Sequence, residues 1–198
     1  MIDQALLFLK GQLNDYLALP VLGQPPVASE DSVVFLDGDK TDPVSFKVGA
    51  ITALLINVEQ EPASRQANPY LRVTADGSAY QTHADIRLNL WVLFAARFKQ
   101  YERSLGQLSR IISYFQVHPV LDPQNAPTLP AGIGRLAMEL TTLPLAEQND
   151  LWNALRTTYQ PSVLYRVRMV TFEDQQPTPL RPVSTTATDL VHANSAAS

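Results

Sequence analysis

The chain has 198 residues, room for one domain with a full core, and at that size about 70% of the extended chain's surface can be buried without disulfide or metal staples. Of these residues 45% are apolar and only 17% charged, and 15 Lys and Arg against 19 Asp and Glu leave a net charge of −4, which argues against a surface built to neutralise nucleic-acid phosphates. The lack of cysteine excludes a disulfide scaffold, a thiolate metal site and a cysteine nucleophile, while 15 prolines against 8 glycines stiffen the loops.

Ile2, Leu6, Leu9, Leu13 and Leu17 draw one apolar stripe on a helix that Pro20 ends. Gly23-Gln24-Pro25-Pro26 then forces an extended loop. Val33–Leu36 and Val44–Val48 flank Asp37-Gly38-Asp39-Lys40-Thr41-Asp42-Pro43, which predicts a hairpin. The stretch Ile51–Val58 is apolar on both alternating faces and suits the middle of a covered sheet. From Glu59 to His83 the chain is polar and broken by Pro62 and Pro69, too long for a plain connector. The next strand, through Ile86, Leu88, Leu90, Val92 and Phe94, is expected to be the longest. Tyr101, Leu105, Leu108, Ile112 and Phe115 mark a second amphipathic helix ended by Pro119.

Residues 119–134 read as a surface excursion. Leu136, Met138 and Leu140 alternate inward along a strand, Pro144 can open a helix with apolar face Leu151, Trp152 and Leu155, and Val163, Tyr165, Val167 and Met169 give a last strand. Beyond Glu173 bulky residues nearly vanish, so the division expected is a single α/β domain over 1–173 and a low-complexity C-terminal tail over 174–198. The fold class is α/β (α+β), a mixed β-sheet flanked by helices.

Motifs that carry chemistry are scarce. Gly132-Ile133-Gly134-Arg135-Leu136-Ala137 fits a dinucleotide loop in spacing but precedes a strand instead of opening a helix. Asp37, Asp39 and Asp42 lack the bidentate Glu of a calcium loop and read as a turn. His83, His118 and His192 have no metal-ligand spacing. Glu59 and Glu61 would share a face if their strand continued, as an acid/base pair or as solvated loop-edge carboxylates. No nucleophile elbow, P-loop or zinc-protease motif occurs, so no catalytic residue and no cofactor or metal is expected, and the chain reads as no enzyme. The longest apolar runs, Ile51–Asn57 and Leu88–Ala96, fall short of the roughly 20 residues that span a bilayer as a helix, and the start lacks a basic n-region. No membrane span and no nucleic-acid partner follow as expectations, with cytoplasmic synthesis and folding.

An ordered set of blocks carries a resemblance. Asn57-Val58-Glu59-Gln60-Glu61, Asn68-Pro69-Tyr70, Asn89–Ala96, Tyr101, Leu108-Ser109, Tyr114-Phe115-Gln116, Glu139-Leu140, Gln148–Trp152 and Tyr159–Met169 together resemble the N-terminal domain of the cap or tail-terminator proteins of extracellular contractile injection systems, which are phage-tail-like particles. The resemblance implies a phage tail-terminator-like fold and a structural protein. It implies a homo-hexameric ring that ends the inner tube and engages the last sheath layer, so that the partners are further copies of itself, the inner tube protein and the sheath protein. The implied location is cytoplasmic at assembly, in a contractile particle that can be released extracellularly. An adaptor or baseplate-side binding module of a related particle is the alternative.

A closed ring needs one patch of each subunit to meet a different patch of its neighbour. The segment Glu59–His83 is the first candidate contact arm, with Glu59, Glu61, Arg65, Tyr70, Arg72 and Tyr80 as interface candidates, although Tyr70 could equally pack on its own domain. Tyr165, Arg166 and Arg168 on the last strand complete the candidates. The two like charges need partners or water, which a solvated edge and a subunit interface supply equally. The segment after Glu173 is either a disordered tail or an arm that adds a strand to a neighbour.

Overall fold

The computed structural model describes residues 1–20, 32–38, 44–61, 71–73, 79–81, 86–172 and 178–179. The chain divides into two compact units, one of Met1–Ser64 with Asp85–Glu173 and one of Arg65–Ala84 with Asp174–Ser198.

In the first unit, helix α1 (Ile2–Leu17) buries Ala5, Phe8, Leu9, Leu13 and Leu17, the predicted stripe widened by Ala5 and Phe8. Strand β1 (Val33–Phe35) follows, then β2 (Ala50–Gln60), β5 (Ile86–Arg97), helix α2 (Tyr101–Val117), β6 (Val120–Leu121), β7 (Leu136–Thr141), helix α3 (Leu145–Ala154) and β8 (Ser162–Phe172). Between β2 and β5 the chain forms β3 (Leu71–Val73) and β4 (Ala79–Gln81) of the second unit, to which β9 (Thr178–Pro179) also belongs. The first unit's strands form one six-stranded sheet in the order β1-β2-β5-β8-β7-β6, and the second unit's a three-stranded sheet in the order β3-β4-β9. Among the described residues only the β1–β2 pair is parallel, so the fold is a mixed-sheet α+β domain, as the sequence pattern implies.

Strand alternation sends side chains to two cores. On one face Val92, Phe94, Val167 and Tyr165 pack beneath α1 and α2 with Leu9, Leu13, Ile111 and Phe115. On the other, Leu93, Ala95 and Leu164 pack with Val44, Phe46 and Trp152, the last being the buried residue of α3. β5 lies between β2 and β8 and at 12 residues is the longest described strand. A buried Leu or Phe of this kind contributes about 1.5–3 kcal/mol, so the doubly covered middle of the sheet dominates stability.

Four expectations are corrected. The hairpin of 33–36 with 44–48 does not form: β1 pairs parallel with β2, Val33 opposite Ile51. The segment near Val44 goes to the opposite face, where the Val44 N–H reaches the Leu155 carbonyl at 3.3 Å and the Phe46 ring meets Trp152 edge-on at 5.8 Å. Residues 39–43, with the Asp-rich turn, lie outside the described residues. The buried face of α2 is Ser104, Gln107, Leu108, Ile111, Tyr114 and Phe115, while Tyr101 is 61% and Leu105 43% exposed. That helix packs on α1 as well as the sheet, and the Tyr16–Tyr114 ring contact at 5.0 Å turns it toward its neighbour. Leu140 is 51% exposed because β6 covers only the first residues of β7. The 59–83 stretch is not wholly irregular either: β2 runs on to Gln60, and β3 and β4 pair antiparallel.

Gly49 enters β2 at φ 88, a left-handed conformation that glycine adopts without a Cβ penalty, and donates to the Arg97 carbonyl.

Candidate functional site

Past the reach of α3, the sheet face that carries Leu93 and Leu164 is polar. Register places Trp91 of β5 opposite Asn57 of β2 on one side and Arg166 of β8 on the other, and Arg166 opposite Glu139 of β7. Cross-strand neighbours on one face lie about 5 Å apart, near enough for long side chains to meet. The Trp91 Nε1–H donates to Glu59 Oε2 at 3.2 Å. Arg166 donates through Nη2 at 2.8 Å and Nε at 3.2 Å to Glu139 Oε2, and its guanidinium lies 5.8 Å from the Trp91 ring centre. Arg168 donates to Glu61 Oε1 at 2.7 Å and stands 3.9 Å from Glu139.

Three carboxylates, two guanidiniums and one indole thus form a lattice across four strands. The Glu61 hydrogen bond and charge, with Glu139 beyond, hold the Arg168 guanidinium above its ordinary pKa, so it stays charged at any accessible pH. Two atoms keep unused capacity: Glu61 Oε2 and Arg168 Nε are buried without a hydrogen-bond partner. A lattice of this kind can orient and discriminate a partner by charge. Its carboxylates are already held by a cation or an indole N–H, and it brings no nucleophile beside a base.

The candidates separate accordingly. Glu59, Glu61, Arg166 and Arg168 come together, so the partners of the like-charged arginines are carboxylates of the same chain, and both glutamates are paired, Glu59 on β2 and Glu61 directly after it. Tyr165 is corrected: at 2% exposure it faces the opposite core, its ring 4.8 Å from Phe115 and 6.0 Å from Phe94, because alternation turns it away from Arg166. Burial pushes its phenol pKa up. Arg72 and Tyr80 stand opposite each other in the β3–β4 pairing. Arg65 and Tyr70 lie outside the described residues. Trp91 and Glu139 were not singled out by sequence, yet the signal exists: each occupies the alternate phase of its strand, in register with an arginine.

Among the described residues no helix is long and apolar enough to cross a membrane, and no cluster of three His, Asp or Glu side chains has metal-holding geometry. Mixed sheet, flanking helices and charged lattice define an α+β domain with a polar sheet face. The chain belongs to the Pvc16 N-terminal domain family, whose model matches residues 6–186. Its fold is similar, with a TM-score of 0.58 at 12% identity, to that of a solved chain described as the PVC sheath/tube terminator of an extracellular contractile injection system in the extended state. The likeness covers 98% of this chain and 65% of that one, so this chain spans about two-thirds of its neighbour's length. Comparison with curated proteins finds no match.

Proposed function

We propose that this protein is a terminator-like structural subunit of a contractile injection system. It forms a six-fold ring that ends the inner tube and engages the last sheath layer, with no catalytic role, and it assembles in the cytoplasm into a particle released from the cell. The observation that carries this reading is a fold shared along nearly the whole chain with a sheath/tube terminator, in a chain of the Pvc16 N-terminal domain family. The polar lattice supports it, because a rigid charged face selects a partner and fixes its register. The contact residues proposed are Glu59, Glu61, Arg166 and Arg168 on the sheet face, with Arg65, Tyr70, Arg72 and Tyr80 in the arm.

Negative-stain images of the purified protein with tube and sheath, and of particles carrying a tagged copy, test the proposal. Hexamers decorating tube ends, and label at the end distal to the baseplate, are expected. Label at the baseplate end favours an adaptor role, and a monomer that ignores tube ends overturns the proposal. The double substitution of Tyr70 and Arg72 by Ala weakens ring or sheath assembly while the helices and large sheet persist.

A further inference from the structure

The second unit contains a feature that composition hides. β9, only Thr178-Pro179, pairs antiparallel with β4, Gln81 opposite Thr178 and Tyr80 opposite Pro179, although almost a hundred residues separate the partners. Two observations make this pairing more than an incidental contact. First, β3 and β4 have three residues each and by themselves form a two-stranded hairpin, an arrangement marginal in water, whereas a third strand satisfies the second edge of β4. Second, little chain separates 81 and 178 from residues that are already paired. Ile86 stands opposite Phe172 in the β5–β8 ladder, so Gln81 lies five residues before one member of that pair and Thr178 six residues after the other. Pairing Gln81 with Thr178 therefore closes about eleven residues of chain and not almost a hundred, at a correspondingly small entropy cost.

The family match points the same way, since it runs to residue 186 and does not stop where bulky residues thin out. Pro179 has no N–H, so within β9 the only backbone donor is that of Thr178, and a proline at a sheet's last strand blocks further pairing there.

We infer that the segment carrying Thr178 and Pro179 is a clasp: it completes and blunts the sheet of the 65–84 segment, so that the candidate contact arm is one unit built from two distant stretches of chain. Its bearing on assembly rests on the terminator reading; the clasp itself does not.

The test uses the full chain and exploits its lack of cysteine. Directly opposed residues of an antiparallel pair have Cα atoms about 4.5–5.5 Å apart, within the range a disulfide bridges. The double variant Gln81→Cys, Thr178→Cys is expected to form an intrachain disulfide under mild oxidation, seen as faster migration on a non-reducing gel. Thr178→Pro, which removes the last donor of β9, is expected to accelerate hydrogen exchange of the Ala79–Gln81 amides about tenfold and leave β5 and β8 unchanged. Thr178→Val, which keeps the donor, retains the original rate. Cross-linking only between chains, or exchange at Ala79–Gln81 unmoved by Thr178→Pro, overturns the inference. Neither readout needs tube or sheath, so a chain that clasps but forms no rings counts against the terminator reading alone.

Discussion

Arg168 and Glu61, 107 positions apart, meet at 2.7 Å, a contact that joins β8 to the end of β2 across β5. Their side chains are 39% and 24% exposed, so solvent screens the pair and its worth is that of a surface ion pair, about 0.5–1 kcal/mol. A double-mutant cycle with Arg168→Met and Glu61→Gln, read by urea unfolding, should return a coupling of that size that shrinks in 1 M salt. A coupling near zero at low salt would show that the lattice is not held as described. Because the lattice contributes little to stability, assembly defects in these variants can be assigned to lost contacts and not to unfolding.

Helix α1 has no basic residue in its last turn, and Arg110 of α2 supplies the charge from outside. Its guanidinium donates to the carbonyls of Leu17 and Tyr16, each at 3.0 Å, and of Leu19 at 3.1 Å, while lying 5.4 Å from the Tyr16 ring centre. These carbonyls lie at the end of a helix, where intrahelical partners run out and the dipole favours a cation. Arg110→Ala is expected to lower unfolding free energy by about 1–3 kcal/mol, with Arg110→Lys recovering part of the loss, since an ammonium cannot serve the carbonyls in a planar fork. Equal stability of the Ala variant and the parent would remove Arg110 as a cap.

Burial raises the phenol pKa of Tyr165, and of Tyr114, where Asp15 adds to the effect. For an acid whose folded pKa lies above the unfolded value of 10.0, the folded state binds more protons once the unfolded phenol ionises. This contribution is therefore complete below about pH 10 and lost as pH climbs through the folded pKa. Urea midpoints should hold between pH 8 and 9.5 and then fall, with a shallower fall in Tyr165→Phe, which has no phenol to ionise. An identical alkaline slope in that variant would contradict the assigned burial.

The sequence pattern made legible what local periodicity encodes. The stripe of α1, the long strand at Leu88–Phe94 and the helix opened by Pro144 all appear because residues three, four or two apart share a face. It failed where the decision is tertiary. Nothing local distinguishes a hairpin from a parallel pair, so only the burial of Phe46 against Trp152 shows that 44–48 leaves β1 behind. Leu136 and Leu140 look alike in sequence, yet one is fully buried and the other half exposed, because the short β6 ends between them. The candidate site followed the same rule: Arg166 and Arg168 were visible as a charged pair, but Glu139 and Trp91 join them only once strand order is known. Tyr165 illustrates the converse, a residue adjacent in sequence to the site and on the wrong side of the sheet.

Two glycines in helix interiors give the last prediction. A Cβ built on Gly11 of α1 or Gly106 of α2 meets no atom within 4 Å, so neither glycine is required by packing inside the chain. Glycine in a helix interior costs about 0.5–1 kcal/mol relative to alanine, and both positions have helical backbone without positive φ. Gly11→Ala and Gly106→Ala are each expected to stabilise the isolated protein by about that amount in urea unfolding. The Gly11 position has a second interest, because Leu7, one turn before it on the same face, is 55% exposed. If a neighbouring subunit packs closely there, Gly11→Ala stabilises the free protein yet weakens ring formation, whereas Gly106→Ala stabilises without that penalty. Stabilisation with unchanged assembly in both variants would assign the α1 face to solvent and leave the polar sheet face and the arm as the candidate contacts.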